Sequence, residues 1–134
     1  VNTFQFHSVG NGEVYSWGCN ESGQCGTGSD PFKKLVQVAP KQIQFKDYNM
    51  SHQKIRSISC GSYHSAFIDD FGKIYFCGSC KFGPLGTGSF SDEFSPTCLT
   101  RIPDKIVEVA CGDDFSLILG MEGLVYSTGS NTSG

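Results

Sequence analysis

The sequence predicts an all-β fold made of repeated, four-stranded antiparallel units, and three observations carry that expectation. Residues 12–28, GEVYSWGCNESGQCGTG, return as GKIYFCGSCKFGPLGTG at 72–88, and the first two-thirds return once more as GLVYSTGSNTSG at 123–134. Gly12, Gly18, Gly23, Gly26 and Gly28 match Gly72, Gly78, Gly83, Gly86 and Gly88 at a constant offset of 60, while Cys60-Gly61 recurs as Cys111-Gly112 at the 51-residue step that also carries Gly72 to Gly123. Fifteen of the 17 glycines occupy such matched positions, so glycine here is a backbone requirement rather than a mark of flexibility; Gly10 and Gly120 read as turn residues ahead of Gly12 and Gly123. Finally, no segment of helical length keeps an uninterrupted 3.6-residue apolar period.

Taken in chain order, the glycine segment 12–28 opens the first unit, and a short strand is expected after it near 35–39 (LVQVA). Strands follow over 54–59 (KIRSIS), 64–69 (HSAFID) and 73–77 (KIYFC), rich in β-branched and aromatic residues and broken by the turn Asp69-Asp70-Phe71-Gly72. The second glycine segment leads to a Pro-bearing strand at 96–101 (SPTCLT). Strands at 105–110 (KIVEVA), 116–119 (SLIL) and 124–128 (LVYST) repeat the pattern, separated by Gly112-Asp113-Asp114 and Gly120-Met121-Glu122-Gly123. About four short strands per period of roughly 50 residues is the pattern of a β-propeller blade. Residues 1–134 therefore read as a single repeat-built partial propeller, with units at about 1–60, 61–111 and a truncated 112–134.

Composition and chemistry narrow the function by exclusion. At 38% apolar and 13% aromatic residues the chain is globular in character, and no apolar run approaches the ~18 residues of a membrane span, so no membrane partner is expected. The start VNTFQFHSVG has no Met and no leader-like core, which reads as a piece excised from a longer protein, with a processed chain as the alternative, and the thiols described next point to an intracellular setting, cytoplasmic or nuclear. Seven cysteines are an odd number, and Cys77 aligns with Trp17 and Thr128, Cys25 with Leu85, and Cys19 with Ser79 and Ser130; positions that accept such residues are packing sites for reduced thiols. Cys77-Gly-Ser-Cys80 has C-x-x-C spacing but no second pair to complete a zinc site, and no metal or cofactor is expected.

No catalytic residue emerges either. His64 stands four residues after Cys60, yet the equivalent of His64 beyond Cys111 is Phe115, so His64 reads as a structural residue between strands rather than the base of a Cys-His pair. Asp69-Asp70, Asp92-Glu93 and Asp113-Asp114 fall at turns, where Asp caps its own backbone. No glycine loop is followed by the Lys-Ser/Thr or helix of a phosphate cradle.

The run Ile58-Ser59-Cys60-Gly61-Ser62-Tyr63-His64-Ser65-Ala66-Phe67-Ile68, with Gly72-x-x-Tyr75-x-x-Gly78 and Leu85-Gly86-Thr87-Gly88 behind it, closely resembles the regulator of chromosome condensation repeat. Phe115 for histidine, Cys25 for leucine and a first period nine residues longer are departures from it. The resemblance implies a seven-bladed propeller of which this chain holds little more than two units. It also implies a choice between two roles. One is a non-enzymatic scaffold that binds a protein partner; the alternative is a guanine nucleotide exchange factor for a Ran-type small GTPase, with chromatin association. Uncovered strand edges of a partial propeller further imply self-association.

Charge supplies the one hint outside the repeat. Residues 31–56 hold Lys33, Lys34, Lys41, Lys46, Lys54 and Arg56 against Asp47 alone, in a chain whose net charge is −3. The nine extra residues fall in the same stretch, because Gly28 to Cys60 spans 32 residues where Gly88 to Cys111 spans 23. Phe32, Lys33, Lys34, Lys46 and Tyr48 are therefore the expected partner-binding residues, suited to an acidic protein surface or, more weakly, to nucleic acid.

Overall fold

A computed structural model of the protein describes residues 3–28, 35–45 and 54–134. Among them are ten strands and no helix: β1 (Phe4–Ser8), β2 (Val14–Cys19), β3 (Val36–Gln42), β4 (Ile55–Cys60), β5 (His64–Asp69), β6 (Ile74–Gly78), β7 (Glu93–Cys98), β8 (Ile106–Cys111), β9 (Phe115–Gly120) and β10 (Val125–Gly129). They form three antiparallel sheets, ordered β1-β2-β3, β4-β5-β6-β7 and β8-β9-β10. The middle sheet is a complete four-stranded blade. Repeat equivalence makes the first sheet a blade without a β4 counterpart and the third a blade without a β7 counterpart.

Each strand is built on the two-residue alternation that sends successive side chains to opposite faces. In the middle sheet both faces are buried. Ala66, Ile68, Ile74 and Phe76 turn towards the third sheet and meet Ile106, Val109 and Ile118, whereas Ile55, Phe67, Tyr75 and Cys77 turn towards the first and meet Val14 and Ile43. That double burial explains why β6 reads as a continuous apolar run rather than as a polar-apolar alternation, and why every residue of β5 is buried, its polar His64, Ser65 and Asp69 included.

Two sequence expectations shift. The Pro-bearing strand lies at 93–98 rather than 96–101, so Pro96 sits inside it. This is allowed because β7 has a register break opposite Phe76 and Gly78 and lies on the outer edge of its sheet, where a missing N–H disrupts no ladder. Gly120, expected in a turn, is the buried last residue of β9. Gly78 shows why the motif glycines are fixed: it sits at the β6 bulge with φ 110°, and a Cβ there would lie 2.6 Å from the Cα of His64.

The nine-residue excess divides in two. Gln37 follows Gly28 by nine residues while its counterpart Glu93 follows Gly88 by five, and Ile55 follows Gln42 by thirteen while Ile106 follows Cys98 by eight. Four extra residues thus precede β3 and five follow it. Because the strands alternate in direction, the β2–β3 connection leaves from the end that also carries the turn at 61–63 and the β6–β7 connection, here called the upper end. The β3–β4 connection leaves from the opposite, lower end, together with the turns at 70–73 and 121–124.

Candidate interaction surface

The expected partner-binding residues lie outside the described residues, Phe32, Lys33 and Lys34 in the β2–β3 connection and Lys46 and Tyr48 in the β3–β4 connection. Their described neighbours sort the basic stretch into parts. Arg56 is structural: its guanidinium donates to the carbonyls of Asp69 (3.1 Å), Val107 (3.2 Å) and Ile106 (2.7 Å), tying β4 to its own sheet and to the next. Phe45 is core, with its ring edge-on to Phe67 and Tyr75 at 5.2 and 5.6 Å between centroids. Lys41 Nζ donates to the Thr27 carbonyl. Beside them Leu35, just ahead of β3, and Val36 and Val38 on that outer strand are exposed, Val38 to 83%.

The groups that sequence alone could place in a catalytic role prove to be joints between sheets. His64 is 1% exposed, and its Nε2 lies 2.8 Å from Ser116 Oγ across the junction of the second and third sheets. Ser116 Oγ also lies in hydrogen-bond reach of Cys111 Sγ, and the Cys111 thiol of the Ser59 carbonyl, so the imidazole ends a chain of polar contacts across the junction. Burial lowers the imidazole pKa to about 4, against a smaller opposing effect from the charge of Asp114. Cys60 is not its partner. Although counted exposed by surface area, its thiol is surrounded by enough protein to push its pKa up to about 12, the reverse of an activated nucleophile.

The other thiols and carboxylates follow the same logic. Cys19, Cys25 and Cys77 are buried, Cys80, Cys98 and Cys111 partly so, and none of the seven forms a disulfide. Cys25 is raised to about 11 and Cys77 well above its ordinary value, both chiefly by burial. Asp69 is buried at a turn, where Oδ1 accepts from the backbone N–H of Phe71 and Lys73 at 2.9 Å each and Oδ2 accepts from the Tyr75 hydroxyl. Asp92 accepts from the Cys80 N–H, and Asp113 from the Ser62 hydroxyl of the neighbouring sheet.

One upper-end feature escaped the sequence reading. Phe82 has φ 68°, the one positive value at a non-glycine among the described residues, and is half exposed with Lys81 Nζ 5.1 Å from its ring centroid. Phe90, in the same β6–β7 connection, is 99% exposed. Equivalent positions hold Glu21-Ser22 and Thr132-Ser133, so the scaffold requires neither the cation nor the ring. That departure from the repeat was the available signal.

The glycine segments also acquire a use. Segment 23–28 packs on β6 and β7 of the following sheet: a Cβ on Gly23 would overlap Phe94, one on Gly26 would crowd Cys77 Sγ and touch Pro96, and Gly28 N–H donates to the Phe94 carbonyl at 2.8 Å. Models of the regulator of chromosome condensation (RCC1) repeat match residues 11–68, 72–119 and 106–134. The chain belongs to the regulator of chromosome condensation repeat family. RCC1-repeat relatives include human protein RCC2, 36% identical over 88% of this chain and 21% of its own length, and the bovine secretion-regulating guanine nucleotide exchange factor, 38% identical over 90% of this chain and 25% of its own. The crystal structure of yeast Prp20p, described with its binding to Gsp1p and histones, superposes with a TM-score of 0.79 at 28% identity over 94% of this chain and 31% of Prp20p. The chain thus spans less than a third of each of these relatives, and its fold is a fragment of the RCC1-type β-propeller.

Proposed function

We propose that this chain is part of a non-enzymatic β-propeller scaffold that binds a protein partner through the connections flanking β3. The observation that supports this most is the placement of the only irregular length in the repeat, four residues ahead of β3 and five behind it, within the one stretch of strongly positive charge. Phe32, Lys33 and Lys34 belong by sequence to the connection that leaves from the end of the sheets also carrying Lys81, Phe82 and Phe90, and aromatic and cationic residues of this kind suit an acidic protein partner. Lys46 and Tyr48 belong to the opposite end and serve a separate contact.

The described residues include no helix long and apolar enough to cross a membrane. An intracellular setting, cytoplasmic or nuclear, is the one in which RCC1-type partners would be met. A second reading, nucleotide exchange on a Ran-type small GTPase with chromatin docking, is favoured by the names of the bovine exchange factor and of the Prp20p structure. The two separate by nucleotide release from a panel of purified GTPases. The scaffold reading expects no acceleration by the parent protein, and loss of a cross-linked partner on K33E/K34E but not on K46E alone. Acceleration abolished by these charge reversals would replace it with the exchange reading, and partner capture indifferent to both variants would remove the assigned site.

A further inference from the structure

The lower end of the sheets carries apolar side chains that the repeat does not ask for. Gly10, Asp70 and Met121 are equivalent across the units, as are Asn11, Phe71 and Glu122, and Glu13, Lys73 and Leu124. Phe71, Met121 and Leu124 thus stand where sister units place glycine, amide or charge, so the blade requires none of them. They are exposed to 49%, 60% and 58%. That exposure belongs to the positions rather than to the edge of the array. Phe71 sits in the turn joining β5 to β6 of the middle sheet, which has a sheet packed on each face. Asp70 and Lys73, the counterparts of Met121 and Leu124, are exposed on that same turn. Three apolar side chains on two solvated turns where sister units are polar mark a contact surface.

Backbone hydrogen bonds bring the two turns together. Ile106 N–H donates to the Gly72 carbonyl and Met121 N–H to the Lys105 carbonyl, both at 2.8 Å, so residues 105–106 are clasped between the two tips. A Cβ on Gly72 would lie 3.1 Å from Lys105 Cβ, which sets the Lys105 stem against the turn that carries Phe71. Lys54, the counterpart of Lys105, holds the other flank, where its carbonyl accepts from Asp70 N–H at 3.0 Å. Lys54, Lys73 and Lys105 are all exposed on or beside this turn, against Asp70 as its exposed carboxylate. The neighbouring acids are engaged within the fold: Asp69 is buried on the N–H groups of Phe71 and Lys73, and Asp104 accepts from Glu122 N–H. Because Asp69 already fixes the turn, presenting the Phe71 ring costs little backbone ordering.

We propose that the lower end is a second docking surface, one that takes a segment of a partner protein combining acidic side chains with bulky apolar ones. Phe71, Met121 and Leu124 receive the apolar side chains, and Lys54, Lys73 and Lys105 meet the carboxylates. Charge complementarity selects the acidic character, since three cations and one exposed carboxylate surround the aromatic anchor. The apolar trio selects a protein segment over a nucleic-acid backbone, which would engage the lysines and leave Met121 and Leu124 in water. Lys46 and Tyr48 belong by sequence to the connection that leaves from this same end. The surface is separate from the upper-end contact, and each stands if the other fails.

Amide chemical shifts of the isotope-labelled chain, titrated with a synthetic peptide of Glu-Leu-Asp-Phe repeats, test this. Shifts are expected to concentrate at Phe71, Lys105 and Met121. F71N, which copies Asn11 of the sister unit, and K105E are each expected to weaken binding by at least about tenfold, as is replacement of the probe by a glutamate-only peptide or a single-stranded DNA oligonucleotide. No binding of the mixed peptide, or shifts that map away from the lower end, overturns the surface. Equal binding of the glutamate peptide or of the DNA means that charge alone acts, and overturns the assigned partner. Nuclear Overhauser contacts from residues 46–53 to the Phe71 ring in the free chain would make the chain's own connection the occupant and likewise overturn it. Should a variant lose its fold, the shift map of the wild type decides.

Discussion

His64 is held neutral by its surroundings, and that has a consequence for stability against pH. Its folded pKa is about 4 against an ordinary value of 6.5, so between those values the unfolded chain binds the proton and the folded chain does not. Stability contributed by the neutral ring is complete above about pH 6.5 and is lost as pH falls towards 4. The shift corresponds to roughly 3 kcal/mol at most. Thermal unfolding followed by circular dichroism from pH 7.5 to 4.5 is expected to show a falling midpoint, and H64F, which copies Phe115 of the sister unit, to flatten that slope. An equal slope in both proteins would place the sensitivity elsewhere. Asp69 carries a complementary prediction: D69A leaves two turn N–H groups and the Tyr75 hydroxyl without their acceptor, at a cost of about 2–4 kcal/mol by urea denaturation.

At the scale of elements, Arg56 joins what the hydrogen-bond ladders do not. It extends from β4 to carbonyls at both ends of a gap, that of Asp69 in its own sheet and those of Ile106 and Val107 in the next. A lysine's three donors all leave one nitrogen and cannot span the three carbonyls that separate guanidinium nitrogens reach, so R56K is expected to lose about 1–2 kcal/mol and R56A about 1.5–3. Amide exchange distinguishes this from general damage: β8 should open faster while β1 and β2 stay unchanged. The sequence showed this arginine only as part of a basic stretch, because a charge count holds no information about which carbonyls a strand's neighbour presents. The strands β5 and β6 were legible within one residue, since they are buried on both faces and fenced by turn residues. β7 was misplaced by three residues because Pro96 looks like a strand boundary unless the bulge opposite Gly78 is known. The nine-residue excess was visible as one insertion, and only pairing register divides it between opposite ends of β3. Phe82 was readable in principle, as an aromatic where sister units carry serine, but its strained backbone was not.

On the scale of the whole molecule, stability in a repeat array is a sum of unit terms and nearest-neighbour junctions, so the middle sheet, shared by both junctions, should open last. The two junctions differ in chemistry. The first is aromatic, with Phe6 and Phe45 edge-on to Phe67 at 5.4 and 5.2 Å; the second is mainly aliphatic around Phe76 and threaded by the His64–Ser116 and Ser59–Cys111 hydrogen bonds. Phe67 is fully buried between the first two sheets, and F67A removes the ring on which that junction turns. A loss of about 3–5 kcal/mol is expected. For a chain of this size that lowers the thermal midpoint by roughly 10–20 °C. The distribution of the damage is the sharper test. Exchange in β1 and β2 should accelerate well beyond that in β8 and β9, because the second junction keeps its own core of Ala66, Phe76, Ile106 and Ile118. Uniform acceleration through all three sheets would mean that the array unfolds as one cooperative body, and the separability of blades assumed for a repeat protein would not hold for this one.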